Sequence, residues 1–232
     1  MPGEQQEYRQ HSFKAPPGAT EILLVRHGES RAATPDDPFP LVDGHGDPEL
    51  HENGHRQAER VAERLQHHAI DAIYVTNLQR TTQTASPLAN KLNLQPLVEP
   101  DLREVYLGEW EGGLLRMKAA NADPVYLRMQ QEQRWDVIPG AESWDTLNTR
   151  VMRGLRGIQS RHRDQQVVAV VHGGIVAHIV AHATGAQPFA FNGADNGSIT
   201  HIVMLEDKIM VRRFNDAAHL LDTLHDGSGQ LT

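Results

Sequence analysis

The sequence predicts an α/β fold: a mainly parallel central sheet with helices on both faces and an inserted lid segment. Three observations carry that reading. Short apolar runs of strand length, Glu21–Arg26, Ala72–Thr76 and Val167–Val171, alternate with stretches whose apolar residues recur at helical spacing. The cores of these runs are apolar without alternation, as in strands covered on both faces. Two of them, ending at Arg26 and Val171, pass directly into a His-Gly pair.

Taken in order, Glu21–Arg26 (EILLVR) is a buried strand bounded by Gly28. Ala32 to Pro48 is so broken by proline and glycine that no regular structure is expected there. Glu52–His68 places Ala58, Val61, Ala62 and Leu65 on one stripe, giving an amphipathic helix. Its terminal pair His67-His68 suits the helix dipole. A second strand, Ala72–Thr76, leads to a second helix, Gln79–Leu92, and Leu97-Val98 forms a short strand before Asp101. Between Gly112 and Gly140 the pattern turns irregular and rich in Met, Gln and Arg, with short helices around Met117 and Tyr126–Gln133. This stretch, about 112–140, is the expected lid over one sheet edge.

Ser143 caps a long helix that runs to Arg161. Val167–Val171 (VVAVV) is the strongest strand, β-branched except at Ala169. After His172-Gly173-Gly174 a helix reaches Thr184 and stops at Gly185. Ile199–Glu206 and Lys208–Phe214 close the fold as a hairpin. One domain over residues 21–222 is expected, between a mobile tail (1–20) and a frayed one (223–232).

Composition removes several functions. The chain has 232 residues, 39% of them hydrophobic, enough for one core. Without cysteine there is no disulfide framework, thiolate nucleophile or cysteine-held metal centre. A net charge of −8 argues against bulk electrostatic binding of nucleic acid. No apolar run approaches the roughly 18 residues of a membrane span. The polar start, with Pro16-Pro17-Gly18, lacks the apolar segment of a signal peptide, so a cytoplasmic protein with no membrane partner is expected. Asn196-Gly197-Ser198 is then read as a turn rather than a glycosylation site.

In open α/β sheets, ligands bind beyond the carboxyl ends of strands. Here those ends collect a particular chemistry. Arg26-His27-Gly28-Glu29-Ser30 offers a permanent planar cation, a nitrogen nucleophile or base, and a glycine that lets backbone approach a ligand. Taken alone it is equally a strand-to-turn junction with an ion-paired arginine. Val171-His172-Gly173-Gly174 repeats the arrangement, and Arg80 opens the helix after the second strand, where its charge adds to the N-terminal dipole. Leu102-Arg103-Glu104 brings a carboxylic acid to the end of the short third strand. Two arginines, two histidines and a glutamate at one sheet edge suit phosphoryl transfer.

These motifs resemble the histidine phosphatase superfamily, in its phosphoglycerate mutase-like branch. The matching stretches are RHGES at 26–30, Leu50-His51-Glu52-Asn53-Gly54-His55-Arg56-Gln57-Ala58, the Arg80 segment, Leu102-x-Glu104-x-x-x-Gly108-x-Trp110-Glu111-Gly112, and His172-Gly173. They stand in family order and cover roughly 21–215. The resemblance implies a phosphomonoester hydrolase acting through a covalent phosphohistidine at His27, with Glu104 as proton donor. It further implies that His172 acts beside them and that Arg26, Arg80, Ser30 and Gly173 bind the phosphoryl group of a small phosphate ester. No metal and no cofactor is implied. Ala33 stands where the family commonly has Asn, and the Trp-Asn continuation of mutases is missing, which favours hydrolysis over mutase-type transfer.

Other readings remain. A non-catalytic scaffold that binds a phosphorylated ligand or a protein would be expected to have lost His27, His172 or Glu104. Gly28-Glu29-Ser30-Arg31-Ala32 nearly matches a serine-hydrolase elbow, with His172 or His219 downstream, but it leaves Arg26 and Arg80 without a task. His51/His55 and His178/His182 have metal-ligand spacing without a third ligand. Trp110, Tyr126, Trp135 and Trp144 flank the inserted segment, as a pocket lining or as its own small core. Arg116, Lys118, Arg128 and Arg134 there either meet further anionic groups or are solvated.

Overall fold

A computed structural model describes residues 8–220; residues 1–7 and the expected C-terminal tail at 223–232 lie outside them. Along the chain run β1 (Thr20–Arg26), β2 (Leu41–Val42), β3 (His45–Gly46), α1 (Glu52–Leu65), β4 (Ala72–Val75), α2 (Gln79–Leu92) and β5 (Leu97–Val98). Then follow α3 (Leu114–Ala120), α4 (Pro124–Glu132), α5 (Trp144–Arg161), β6 (Gln166–Val171), α6 (Gly173–Thr184), β7 (Ile199–Leu205) and β8 (Lys208–Asp216). The main sheet has the order β5-β4-β6-β1-β7-β8. Its first four strands are parallel, and β7 and β8 add an antiparallel edge.

The two-residue period of the strands distributes their side chains between two cores. Ile22, Leu24, Val167, Ala169 and Val171 face α5 and α6, meeting Leu147, Val151, Leu155, Ile175 and Ile179. Leu23, Val25, Val168 and Val170 face α1 and α2, meeting Val61, Leu65, Ala85 and Leu88. That two-sided burial is why these strands read as unbroken apolar runs. A third cluster of Trp110, Met129, Val137 and Ile138 gives the 112–140 region its own core, with Tyr126 and Trp135 packed against it.

Some expectations needed correction. The proline-rich stretch holds a small antiparallel ladder, β2 with β3, where no regular structure was expected. Tertiary hydrogen bonds override its breakers: Gly46 N–H donates to Glu111 Oε2 at 2.6 Å and Phe39 N–H to the Gly112 carbonyl at 3.0 Å. α1 ends at Leu65, before His67-His68. Residues 8–19 have no regular structure, yet Gly18 N–H donates to Asp164 Oδ1 at 2.6 Å, and Arg212 lies over the Phe13 ring at 3.7 Å. The Asn196-Gly197-Ser198 turn ties to β1, with Gly197 N–H donating to the Arg26 carbonyl at 2.9 Å. Among the described residues, no helix is long and apolar enough to cross a membrane.

Candidate active site

Strand register assembles the site. Arg26 pairs with Val171 across β1 and β6, so His27 and His172 leave adjacent parallel strands side by side. Their ring centroids are 5.2 Å apart at 65°. β4 lies on the other side of β6, and the turn after it carries Thr76 and Arg80 to the same edge. Arg26, His27, Arg80, Glu104 and Gly173 line one cavity of about 430 Å³.

His27 is buried, and its Nδ1–H donates to the Gly28 carbonyl at 2.7 Å. The lone pair is therefore on Nε2, which accepts from Arg80 Nε at 3.2 Å. Burial, with Arg80 and Arg26 close by, pushes the imidazole well below the usual histidine range, so it is neutral. His172 is fully buried and likewise held neutral by burial and by Arg80. The Thr81 hydroxyl donates to the Leu78 carbonyl at 2.8 Å, and the Thr76 hydroxyl lies 3.1 Å from both Thr81 Oγ1 and His172 Nε2. His172 Nδ1 is buried and has no hydrogen-bond partner among the described residues.

Arg26 donates from Nη1 to the Ala194 carbonyl, while its Nε has no hydrogen-bond partner among the described residues. Arg80 Nη1 donates to the Gly46 carbonyl at 2.9 Å. At the N-terminus of α2, Asp47 Oδ1 accepts from Gln79 N–H at 2.7 Å, so a carboxylate already shares that end of the helix with Arg80. Gly28 also differs from expectation: a Cβ there would sit 2.4 Å from the Gly54 carbonyl, so its smallness admits α1 rather than a ligand.

Glu104 reaches the cavity through a 3₁₀ turn, Pro100–Leu102, and not from the end of β5. Arg150 holds that turn by donating to the carbonyls of Asp101 at 2.7 Å, Arg103 at 2.8 Å and Glu104 at 2.9 Å. The Glu104 carboxylate accepts from Val105 N–H at 2.9 Å and Gly174 N–H at 3.4 Å. A Cβ on Gly174 would lie 2.6 Å from Glu104 Oε1. Gly174→Ala therefore displaces this carboxylate, and a misplacement near 1 Å costs about 10²-fold in rate. We expect kcat to fall by about that factor while inhibition by inorganic phosphate changes little, measured by steady-state kinetics of the two proteins.

Ser30 is buried beside the cavity, and its hydroxyl accepts from Arg116 Nη2 at 2.7 Å. Among the described residues no imidazole is bonded to it, which removes the serine-hydrolase arrangement. Arg116, one of four cations in the inserted segment, is the one that lines the cavity. Burial beside Arg80 and Arg26 brings its guanidinium down to about 10. Sequence reasoning did not separate it from Lys118, Arg128 and Arg134, because which helix face turns inward is set by tertiary packing. It also missed His45 and Glu111, which line the cavity; the bond from Gly46 N–H to Glu111 shows why, since their partners are far apart in sequence.

One histidine of each spaced pair has a structural duty. His51 Nδ1 caps α1 by accepting from Asn53 N–H at 3.2 Å. His178 stacks on Trp144 at 4.1 Å and bonds Asn148 Oδ1 at 3.1 Å, which places Trp144 on α5 and away from the inserted segment. Burial lowers His178 to about 3, whereas an unfolded histidine titrates near 6.5. Between those values the unfolded chain binds more protons, so stability is complete above about pH 6.5 and falls as pH drops towards 3, by about 1.4 kcal/mol per unit. Urea unfolding across this range is expected to show the decline, and His178→Phe, which keeps the ring stacking, to flatten it.

Comparison with known proteins agrees with this geometry. Residues 22–217 match the family described as histidine phosphatase superfamily (branch 1). The chain is 34% identical over 218 residues to phosphoglycerate mutase-like protein 4 of Arabidopsis thaliana, covering 90% of this chain and 91% of that protein. It is 31% identical to a metal-independent phosphoserine phosphatase of Arabidopsis thaliana, covering 87% and 83%. A mycobacterial glucosyl-3-phosphoglycerate phosphatase structure superposes with a TM-score of 0.72 at 25% identity, covering 85% of this chain and 99% of that one. The chain belongs to the histidine phosphatase superfamily, branch 1, and is a phosphatase.

Proposed function

We propose that the protein hydrolyses small phosphomonoesters in two displacements through a phosphohistidine at His27. The observation that carries this is the fixed tautomer of a neutral imidazole, its Nε2 lone pair set among Arg26, Arg80 and His172. In the first step Nε2 forms a bond to phosphorus as the ester P–O bond breaks, and the Glu104 proton passes to the departing alkoxide oxygen. Charge spread over the equatorial oxygens is met by Arg26, Arg80, Arg116 and His172. In the second step water attacks phosphorus, gives its proton to the Glu104 carboxylate, and the N–P bond breaks. Phosphate leaves, and neutral His27 and protonated Glu104 are regenerated.

Ser30 serves this site by orienting Arg116, and Gly173 by leaving room for Arg26, whose Nε would be 3.1 Å from a Cβ at that position. The 112–140 segment acts as a lid, a role supported by the cavity wall it supplies through Gly113, Leu115, Arg116, Tyr126 and Trp135. Release of inorganic phosphate from 4-nitrophenyl phosphate tests the proposal. Activity is expected to persist in EDTA and to be inhibited by vanadate, which mimics the five-coordinate transition state. Loss in EDTA with rescue by a divalent cation would contradict it, as would primer-dependent conversion of 3-phosphoglycerate to 2-phosphoglycerate outpacing phosphate release.

A further inference from the structure

The cavity is divided by chemistry. Its charged lining residues are Arg26, Arg80, Arg116, Glu104 and Glu111. The three cations all belong to the His27 end, where each depresses the His27 imidazole. Arg116 is further committed there, donating to Ser30 Oγ at 2.7 Å and to the Arg31 carbonyl at 2.9 Å. The rest of the lining holds no Lys, Arg, Asp or Glu: it includes the apolar Leu107, Trp110, Leu115, Met129 and Trp135, with the polar Tyr126, Gln130 and Asn192 among them.

The remaining cations of the inserted segment do not line the cavity and are tied to acids. Lys118 pairs with Asp123 at 2.8 Å, Arg128 with Glu132 at 3.7 Å and Arg134 with Asp136 at 3.0 Å. A second anionic group on a substrate, such as a carboxylate, would therefore leave water for a mainly apolar wall that has no cation of its own, which is costly. It would also approach Glu111, whose carboxylate is occupied by the N–H groups of Gly46 and Leu107.

From this division we infer that the alcohol portion of the physiological substrate is uncharged and apolar, an alkyl or aryl group seated against Trp110, Leu115, Tyr126, Met129 and Trp135. The inference rests on the hydrolase reading above. It sets this chain apart from a phosphatase acting on the phosphate ester of a hydroxy or amino acid. The volume, about 430 Å³, accommodates such a group, since small-molecule pockets span about 300–1,000 Å³.

The n-alkyl phosphates test it, because their leaving-group acidity is nearly constant and chain length alone varies. From propyl to hexyl phosphate, kcat/KM is expected to rise about fourfold per methylene, the value of one buried CH₂. O-phosphoserine and 3-phosphoglycerate are expected to be at least about 100-fold poorer than hexyl phosphate, the scale set by burying an unpaired charge. Leu115→Lys, at a half-buried position, is expected to narrow the gap between hexyl phosphate and O-phosphoserine by about tenfold or more. A flat chain-length response with O-phosphoserine or 3-phosphoglycerate preferred would overturn the substrate class and leave the hydrolase reading standing. No phosphate release from any ester would overturn that reading and this inference with it.

Discussion

Replacing Glu104 with Gln lowers turnover of alkyl phosphates by about 10²–10⁴-fold, the usual contribution of a positioned general acid, and that of 4-nitrophenyl phosphate by far less. The asymmetry follows from the leaving groups. An alkoxide departs only with a proton, whereas nitrophenolate carries its charge without one. Gln keeps the shape of the side chain and its acceptor oxygen towards Val105 N–H at 2.9 Å, so the turn beneath it is retained. Among the described residues Glu104 forms no ion pair with Arg103, so the substitution breaks no structural bridge. Steady-state rates with both substrates, and thermal unfolding of both proteins, make the check. Equal losses on the two substrates, or a lowered Tm in step with lowered activity, would remove Glu104 as proton donor.

His27→Ala abolishes turnover of every ester, by more than about 10³-fold, as expected when a nucleophile rather than a binding group is lost. Inorganic phosphate should still bind, because Arg26, Arg80, Arg116 and His172 are untouched. The buried imidazole is also a neutral group in an environment that disfavours its protonation, so its removal should not destabilise the protein in acid. Kinetics with 4-nitrophenyl phosphate and phosphate binding by calorimetry separate the two effects. Retained turnover in the alanine variant would exclude a nucleophilic role.

The convergence of the strand ends was legible because its signals are local. His27 and His172 each follow an apolar run that can only be a buried strand, and adjacency in a parallel sheet then brings them together. Arg80 and Glu104 were found by the same logic, although the acid arrives by a 3₁₀ turn that no periodicity announces. What was illegible depends on contacts distant in sequence. Arg116 looks like its neighbours Lys118 and Arg128 until α3 is packed against the Ser30 loop, 86 residues away in sequence. The β2–β3 ladder forms in a proline-rich stretch because Glu111 completes its hydrogen bonds from 65 residues further on. Gly28 reads as a ligand glycine, but the α1 backbone at Gly54 is what occupies the space.

The most direct test of the account is the identity of the phosphorylated atom. Enzyme mixed with ³²P-labelled ester and quenched within one turnover should carry label that is stable in base and released in acid, as a phosphoramidate is. That label should map to His27 and be missing from His27→Ala. Label on Ser30, or steady turnover without label at His27, would contradict the phosphohistidine mechanism.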